Sequence, residues 1–361
     1  MLKYCSLLLI QCIIPGSLFS QGLSAYLNTR NAFYVFDDSI TKEIEYLPPG
    51  NFKIGGNCIA YISSDNSFKV YQKGKVIKVN EGFTTEYFMT GNYVVMKNNT
   101  SLHVYDNGKS MLLVRNPYDW VASDSLIGFA DPLSKAYFIY ADGKIVALSQ
   151  DLIGDPIKIS DVGKNILAYT TIDDSLKVFY HGNIYPQPVP NVTEIKTGKN
   201  IVAYQNDYNS EFKVFYKGKP LTLETFKVRV FFTGDDLVAY LTTEGKFKIF
   251  YEGIVYTIGT FNPGNFRIKD DIVTYTDEVG FFKVFYKGNT YQLEQYTPDH
   301  YEMAQHSLYY VGLDGRINFF SFGSKQELPI ENYVSLRLDY DVLQVETSPH
   351  QFSFYYKGKV F

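Results

Sequence analysis

The side chains that could do chemistry are few and thinly spread along this chain. Its five histidines stand at 103, 181, 300, 306 and 350, without the spacing of a metal-ligand set. The nearest pair, His300 and His306, would sit ~20 Å apart along an extended strand, too far to share one ion. No Gly-x-Ser-x-Gly elbow, phosphate-cradling glycine loop or His-Glu-x-x-His motif occurs. Calcium loops of the Asp-x-Asp-x-Asp-Gly kind and sialidase-type Asp boxes are also missing. The sequence therefore calls for no metal and no cofactor, and it nominates no catalytic residue.

Carboxylates do recur, at Asp65, Asp173-Asp174, Asp207, Glu244, Asp277-Glu278 and Asp314. Their repetition matches the preference of Asp for turns, although paired carboxylates are also what glycoside hydrolysis needs. Better candidates are residues that break the pattern. Asn116-Pro-Tyr118-Asp119-Trp120 holds the only Trp, and Asp155 sits in the longest interval between repeats. Asn262, Asn265, Tyr296, Asp299 and His300 follow in two later connections. Aromatic rings beside amides and carboxylates suit stacking and directional hydrogen bonds to a glycan or a peptide. Tyr118, Asp119, Trp120, Asp155, Asn262, Asn265, Tyr296, Asp299 and His300 are the binding residues expected.

What must position them is a repeat. Phe212-Lys-Val-Phe-Tyr-Lys-Gly218 recurs unchanged at Phe282-Lys-Val-Phe-Tyr-Lys-Gly288, and looser copies end at Gly74, Gly182, Gly253 and Gly358. More divergent copies end at Gly108, Gly143 and Gly323, so the interval is close to 35 residues throughout. Each unit splits into four short strand signals, a to d. In one unit strand a runs 227–232, strand b 237–240, strand c 247–251 and strand d 254–258. Asn107-Gly108 and Asp142-Gly143 supply the positive φ of two-residue hairpin turns between c and d. Strand b reads Ile201-Val-Ala-Tyr204 and Leu237-Val-Ala-Tyr240, apolar on both faces as a strand between packed sheets should be. The small residue lets a neighbouring sheet approach.

A four-stranded antiparallel meander in tandem resembles the blade of a β-propeller. The chain as a whole resembles the exported β-propeller repeat proteins of Bacteroidota, over residues 21–361. That resemblance implies an all-β ring and leaves activity open, because propellers host many functions. The first unit starts at strand b and the last ends just after strand c, and no linker marks two smaller rings. One ring of nine to ten blades is expected. Strand alternation puts the a–b and c–d turns on one face, which collects Lys73, Lys217, Lys287 and Lys357. The b–c turns with their acids, and the d–a connections, share the other. A basic-leaning and an acidic-leaning face follow from this.

Residues 1–20 stand apart from the repeat. Lys3, the apolar run from Ser6 to Ile14, Pro15-Gly16 and small Ser20 resemble a Sec signal peptide cut before Gln21. Export to the periplasm, surface or exterior is expected. Cys5 and Cys12 would leave with it, so Cys58 is left alone as a buried small hydrophobe and no intrachain disulfide can form. The 361 residues carry 34 Lys+Arg against 38 Asp+Glu, 32 Tyr and 28 Phe. The slight negative charge gives no basis for binding nucleic acid. These features point to a non-catalytic binding or scaffold protein that presents its b–c and d–a loops to a protein or glycan. The alternative is a propeller glycoside hydrolase or lyase with axial carboxylates.

Overall fold

Tight turns fix the geometry from which the rest is built. At Asn107-Gly108 φ is 46° and 90°, and at Lys217-Gly218 it is 49° and 82°, as a type I′ turn between twisted strands requires. Lysine tolerates this left-handed position at 217, 287 and 357, where its ammonium lies 4.6–5.2 Å from the ring of the preceding tyrosine. The computed structural model describes residues 22–79, 86–98, 100–148, 157–171, 174–187, 192–207, 210–263, 266–330 and 332–361. Every regular element among them is a strand.

Those strands form ten separate antiparallel sheets, each a meander in chain order. Blade 7 is typical, with strands Val228–Thr233, Leu237–Thr242, Phe247–Tyr251 and Ile254–Gly259, within a residue or two of the expected bounds. Nine blades have four strands. Blade 1 has three among the described residues, Leu23–Leu27, Phe33–Asp37 and Ile40–Glu45, which correspond to b, c and d. Blade 10 closes on a two-residue strand d, Lys359–Val360.

Burial follows strand position. The b strands are buried on both faces, and Ala25, Ala60, Ala168, Ala203 and Ala239 are wholly inaccessible, so adjacent sheets meet over them. The abundance of tyrosine has a second cause beyond strand propensity. Tyr61, Tyr240 and Tyr310 donate their hydroxyls to Glu45, Glu224 and Glu294 of the preceding blade at 2.7–2.9 Å. Lys69 and Lys248 reach the first two of these carboxylates from strand c of the tyrosine's own blade, and Lys325 reaches the third from strand d. Phenylalanine would fill the space but leave the carboxylate without that bond.

The a–b turns hydrogen-bond to one another around the ring. Asn92 N donates to Asp124 O, Ser125 N to Lys164 O, Lys164 N to Gly198 O, Lys199 N to Asp235 O and Asp235 N to Asp270 O, at 2.7–3.0 Å. Asp271 N reaches Gln305 O at 3.4 Å, and His306 N reaches the Asp341 carboxylate at 2.9 Å. A side-chain ladder runs beside it, from Asn57 to Asn92 to Ser125 and again from Asn165 to Asn200 to Asp236. Turns can approach this closely because Gly163, Gly198 and Gly234 lead them; a Cβ there would overlap the carbonyl oxygen of Gly198, Gly234 or Asp270.

Among the described residues the ring closes without exchanging a strand. Blade 1 meets blade 10 through Phe36 stacked on Phe354, with centroids 4.5 Å apart and planes 8° apart. Beside it Ser24 Oγ lies 2.6 Å from Asp339 and 2.7 Å from Gln344, and Arg337 donates to the Ala25 carbonyl at 2.6 Å. Gly198→Ala should lower the unfolding free energy by roughly 1–3 kcal/mol, the usual cost of overpacking. Gly50→Ala, where the nearest atom would be 3.9 Å away, should change it little. Urea denaturation of both variants checks this, and equal effects would contradict the turn packing.

Candidate functional site: the axial mouth and the loop face

The innermost residues of the a–b turns run, blade by blade from the second, as Gly56, Gly91, Asp124, Lys164, Lys199, Asp235, Asp270, Gln305 and Tyr340. Blades 2 to 6 carry one acid among these residues, Asp124, whereas blades 7 and 8 carry paired acids, Asp235-Asp236 and Asp270-Asp271. Lys164 spans them. Its Nζ pairs with Asp235 at 2.7 Å, with Asp270 more closely still, and with Asp124 at 3.8 Å. One ammonium thus ties together blades 4, 5, 7 and 8. Tyr340 enters from blade 10, within the electrostatic reach of Asp124, Lys164 and Asp270.

Burial and charge set the protonation of this cluster. Burial pushes the Asp235 carboxyl up to about 6; Lys164 opposes that and the Asp270 charge adds to it. Burial would raise Asp270 as well, but Lys164, with Lys269 and the Gln305 amide, outweighs it and holds Asp270 below the ordinary carboxylate range. Burial also disfavours charge on Lys164, and its three carboxylates more than compensate, so its pKa is raised. A similar balance holds next door. Burial works against the imidazolium of His306, while Asp271, 2.8 Å from Nδ1, and Asp341 favour it and win. Asp341 itself is raised, chiefly by burial.

The two expected faces are therefore corrected. The a–b/c–d face has a lysine-bearing rim, but its hub is acidic, because the aspartates of the a–b turns gather at the axis. His306 belongs to this hub rather than to an inner strand, which in blade 9 ends at Ala304. The turn tips were visible in the sequence as Thr-Gly-Asp-Asp236 beside Gly-Lys-Asn200. What marks them is the replacement of the Lys199-Asn200 pair of one turn by the Asp235-Asp236 pair of the next.

The residues expected to bind lie on the other face, around its circumference. Tyr118 is exposed in the connection from blade 3 to blade 4, whereas Trp120 opens the inner strand of blade 4. The indole packs edge-on against Phe88 of blade 3, with centroids 5.1 Å apart, and Asp119 accepts the Ala130 amide through its carbonyl. Asn262, Asp299 and His300 are exposed in the connections entering blades 8 and 9. His300 faces Glu302 at 3.7 Å, and the Tyr296 hydroxyl accepts the Leu313 amide. Asp155 and Asn265 lie outside the described residues. Blades 4 and 9 are half a turn apart in a ring of ten, so Tyr118 and Trp120 form no common site with His300.

This loop face has a property that was not expected. Tyr46, Leu47, Tyr118, Leu133, Phe226, Val279, Leu313, Tyr333 and Val334 are exposed in its d–a and b–c segments, Leu133 at 90% and Leu313 at 80%. Among the described residues the remaining exposed large apolar side chains lie on the outer strands, on one inner strand at Phe232, and at the C-terminal Phe361. The a–b turns have none.

Ten antiparallel blades closed around one axis, nine of them with four strands, define a ten-bladed β-propeller. Residues 17–361 match the family model of the 10-bladed beta propeller domain, and the chain belongs to that family. No curated protein matches it in sequence. Among solved structures it is similar to the eukaryotic initiation factor, at 13% identity and TM-score 0.46 over 84% of this chain and 96% of that one. It is also similar to Prp20p from Saccharomyces cerevisiae, at 10% identity and TM-score 0.32 over 58% of this chain and 72% of that one. A third is PorZ of Porphyromonas gingivalis, described as a surface component of the type-IX secretion system. There the identity is 10% and the TM-score 0.28, over 95% of this chain and 59% of that one. Among the described residues no group of metal-ligating side chains gathers, and no helix is long and apolar enough to cross a membrane.

Protonated Asp235 favours the folded state, so its contribution is complete below the ordinary carboxylate pKa and is lost as pH rises through about 6. Relative to wild type, Asp235→Asn should therefore gain about 1–3 kcal/mol of stability between pH ~4 and ~6. Urea titrations across that range measure it; a difference that shrinks with rising pH would mean that Asp235 is stabilised as the anion.

Proposed function

We propose that the protein is an exported, non-catalytic scaffold that docks a protein partner on the face built by its d–a and b–c segments. The observation that carries this reading is the set of nine exposed apolar side chains on that face. Exposed apolar surface of this kind, framed by polar turns, is what interaction sites look like. The rigid ring supports the same reading, since the blades are tied at the axis and little ordering entropy is lost on association.

Chemistry at the axis is the weaker reading. Asp235 and Asp270 are the carboxylates best placed to act as acid and base, and both are engaged by Lys164. A substrate would have to displace a half-buried ammonium first. Their arrangement serves to neutralise and cross-link the turns.

The reading is tested with the intact chain as bait against envelope extract of the source organism. A triple variant, Leu133→Ser, Phe226→Ser and Leu313→Ser, is compared with Ile254→Ser on an outer strand. A stoichiometric protein captured by wild type and by Ile254→Ser, and lost by the triple variant, is the expected result. Equal capture by all three, or recovery of polysaccharide alone, would contradict it. N-terminal sequencing of the exported protein should begin at Gln21.

A further inference from the structure

The rim of the a–b/c–d face carries a charge that the chain as a whole conceals. Each c–d turn contributes to it, together with the first residue of the outer strand that follows. Over the ten blades these positions hold nine lysines against three acids, Asp38, Asp142 and Glu252, although the net charge of the chain is −4. Lys73 and Lys75, Lys217 and Lys219, and Lys357 and Lys359 stand in pairs, and blades 3, 4 and 8 add one lysine each. All nine are exposed. Among the described residues only Lys357 has a carboxylate within ion-pair distance, that of Asp38 at 3.9 Å.

Apolar side chains stand among these cations. Ile40, Val76, Ile145, Ile254 and Val360 are exposed, and each is the first or second residue of its outer strand, next to the turn. Lysines interleaved with aliphatic side chains suit an anionic interface, where headgroups take the charge and the acyl boundary takes the apolar atoms. The hub does not cancel the rim, because Lys164 and His306 already pair with its acids. The lysines occupy six blades spread round the whole ring. A compact protein or a single glycan chain would touch a short arc of them, whereas a flat surface reaches them all.

We propose that the a–b/c–d face docks on an anionic lipid surface, with the rim lysines at the headgroups and the neighbouring aliphatic side chains at the acyl boundary. The lysines stand on short hairpin tips, so little order has to be imposed on them at the surface. The interaction is electrostatic at long range and weakens as salt screens it. Docked in this way, the ring holds its exposed apolar loops away from the lipid, open to a protein partner. The inference concerns the face opposite to those loops and does not depend on them.

The test is co-sedimentation of the exported protein with vesicles of equimolar phosphatidylcholine and phosphatidylglycerol, and with vesicles of phosphatidylcholine alone. Binding to the anionic vesicles only, reversed by added sodium chloride, is expected. A rim variant, Lys75→Glu, Lys144→Glu and Lys219→Glu, should weaken it about tenfold or more. These lysines face Gln72, Ala141 and Tyr216 across their hairpins, so the reversal sets no carboxylates against each other there. A loop-face variant with the same change in charge, Arg30→Glu, Lys135→Glu and Lys246→Glu, should bind as wild type does. The salt dependence of wild type keeps the test informative if a variant fails to fold. No binding at low salt, equal binding to the neutral vesicles, or equal weakening by the two variants would overturn the proposal. So would binding of alginate without binding of the vesicles, which would assign the rim to a glycan. Vesicle binding is read without the loop-face partner, so the two readings fail separately.

Discussion

The architecture depends on how closely the a–b turns approach one another at the axis. Ten wedge-shaped sheets leave a wide hub, and a wide hub lined by turn amides would leave polar groups facing a narrow water column. Here the turns satisfy one another instead, amide to carbonyl from blade 3 to blade 9 and amide to the Asp341 carboxylate at blade 10. That solution demands glycine where a Cβ would meet the next carbonyl. It also packs turn side chains tightly enough that their charges must balance. Lys164 between Asp124, Asp235 and Asp270 is the consequence: acids brought together by geometry need a cation, and the cation then braces four blades.

Other inter-blade bonds follow the same economy. The outer parts of adjacent sheets are joined by tyrosine hydroxyls on carboxylates, a bond that holds two apolar surfaces in register at one point. Closure between blades 1 and 10 uses aromatic stacking and a buried polar group around Ser24, Arg337 and Gln344.

Much of the fold was legible because a repeat states the same message ten times. The glycine interval, the Asn-Gly and Asp-Gly turns, and the Val-Ala-Tyr strands each predict a blade, and the small residue in strand b is buried as expected. That the described part of the first unit begins at strand b was also visible. The hub was less legible for a physical reason. Asp124, Lys164 and Asp270 lie 40 and 106 residues apart, and only ring closure brings them together. A repeated Asp in a turn reads as turn chemistry until neighbouring turns are seen to face each other. Trp120 drew notice by its rarity, whereas its contact with Phe88 between blades 3 and 4 had no signal in the sequence. The loop-face apolar residues are scattered singly through the sequence, with no local signal beyond their type.

The turn-to-turn hydrogen bonds are best tested by amide hydrogen exchange, read residue by residue or on short overlapping peptides. Turn amides exposed to water exchange quickly, whereas hydrogen-bonded ones exchange only when the structure opens. The amides of Lys164, Lys199 and Asp235 should be protected to the same degree as those of the b strands that follow them. Exchange at the rate of the c–d turn amides, with the strands still protected, would mean that the blades stand independently at the axis and would contradict the account.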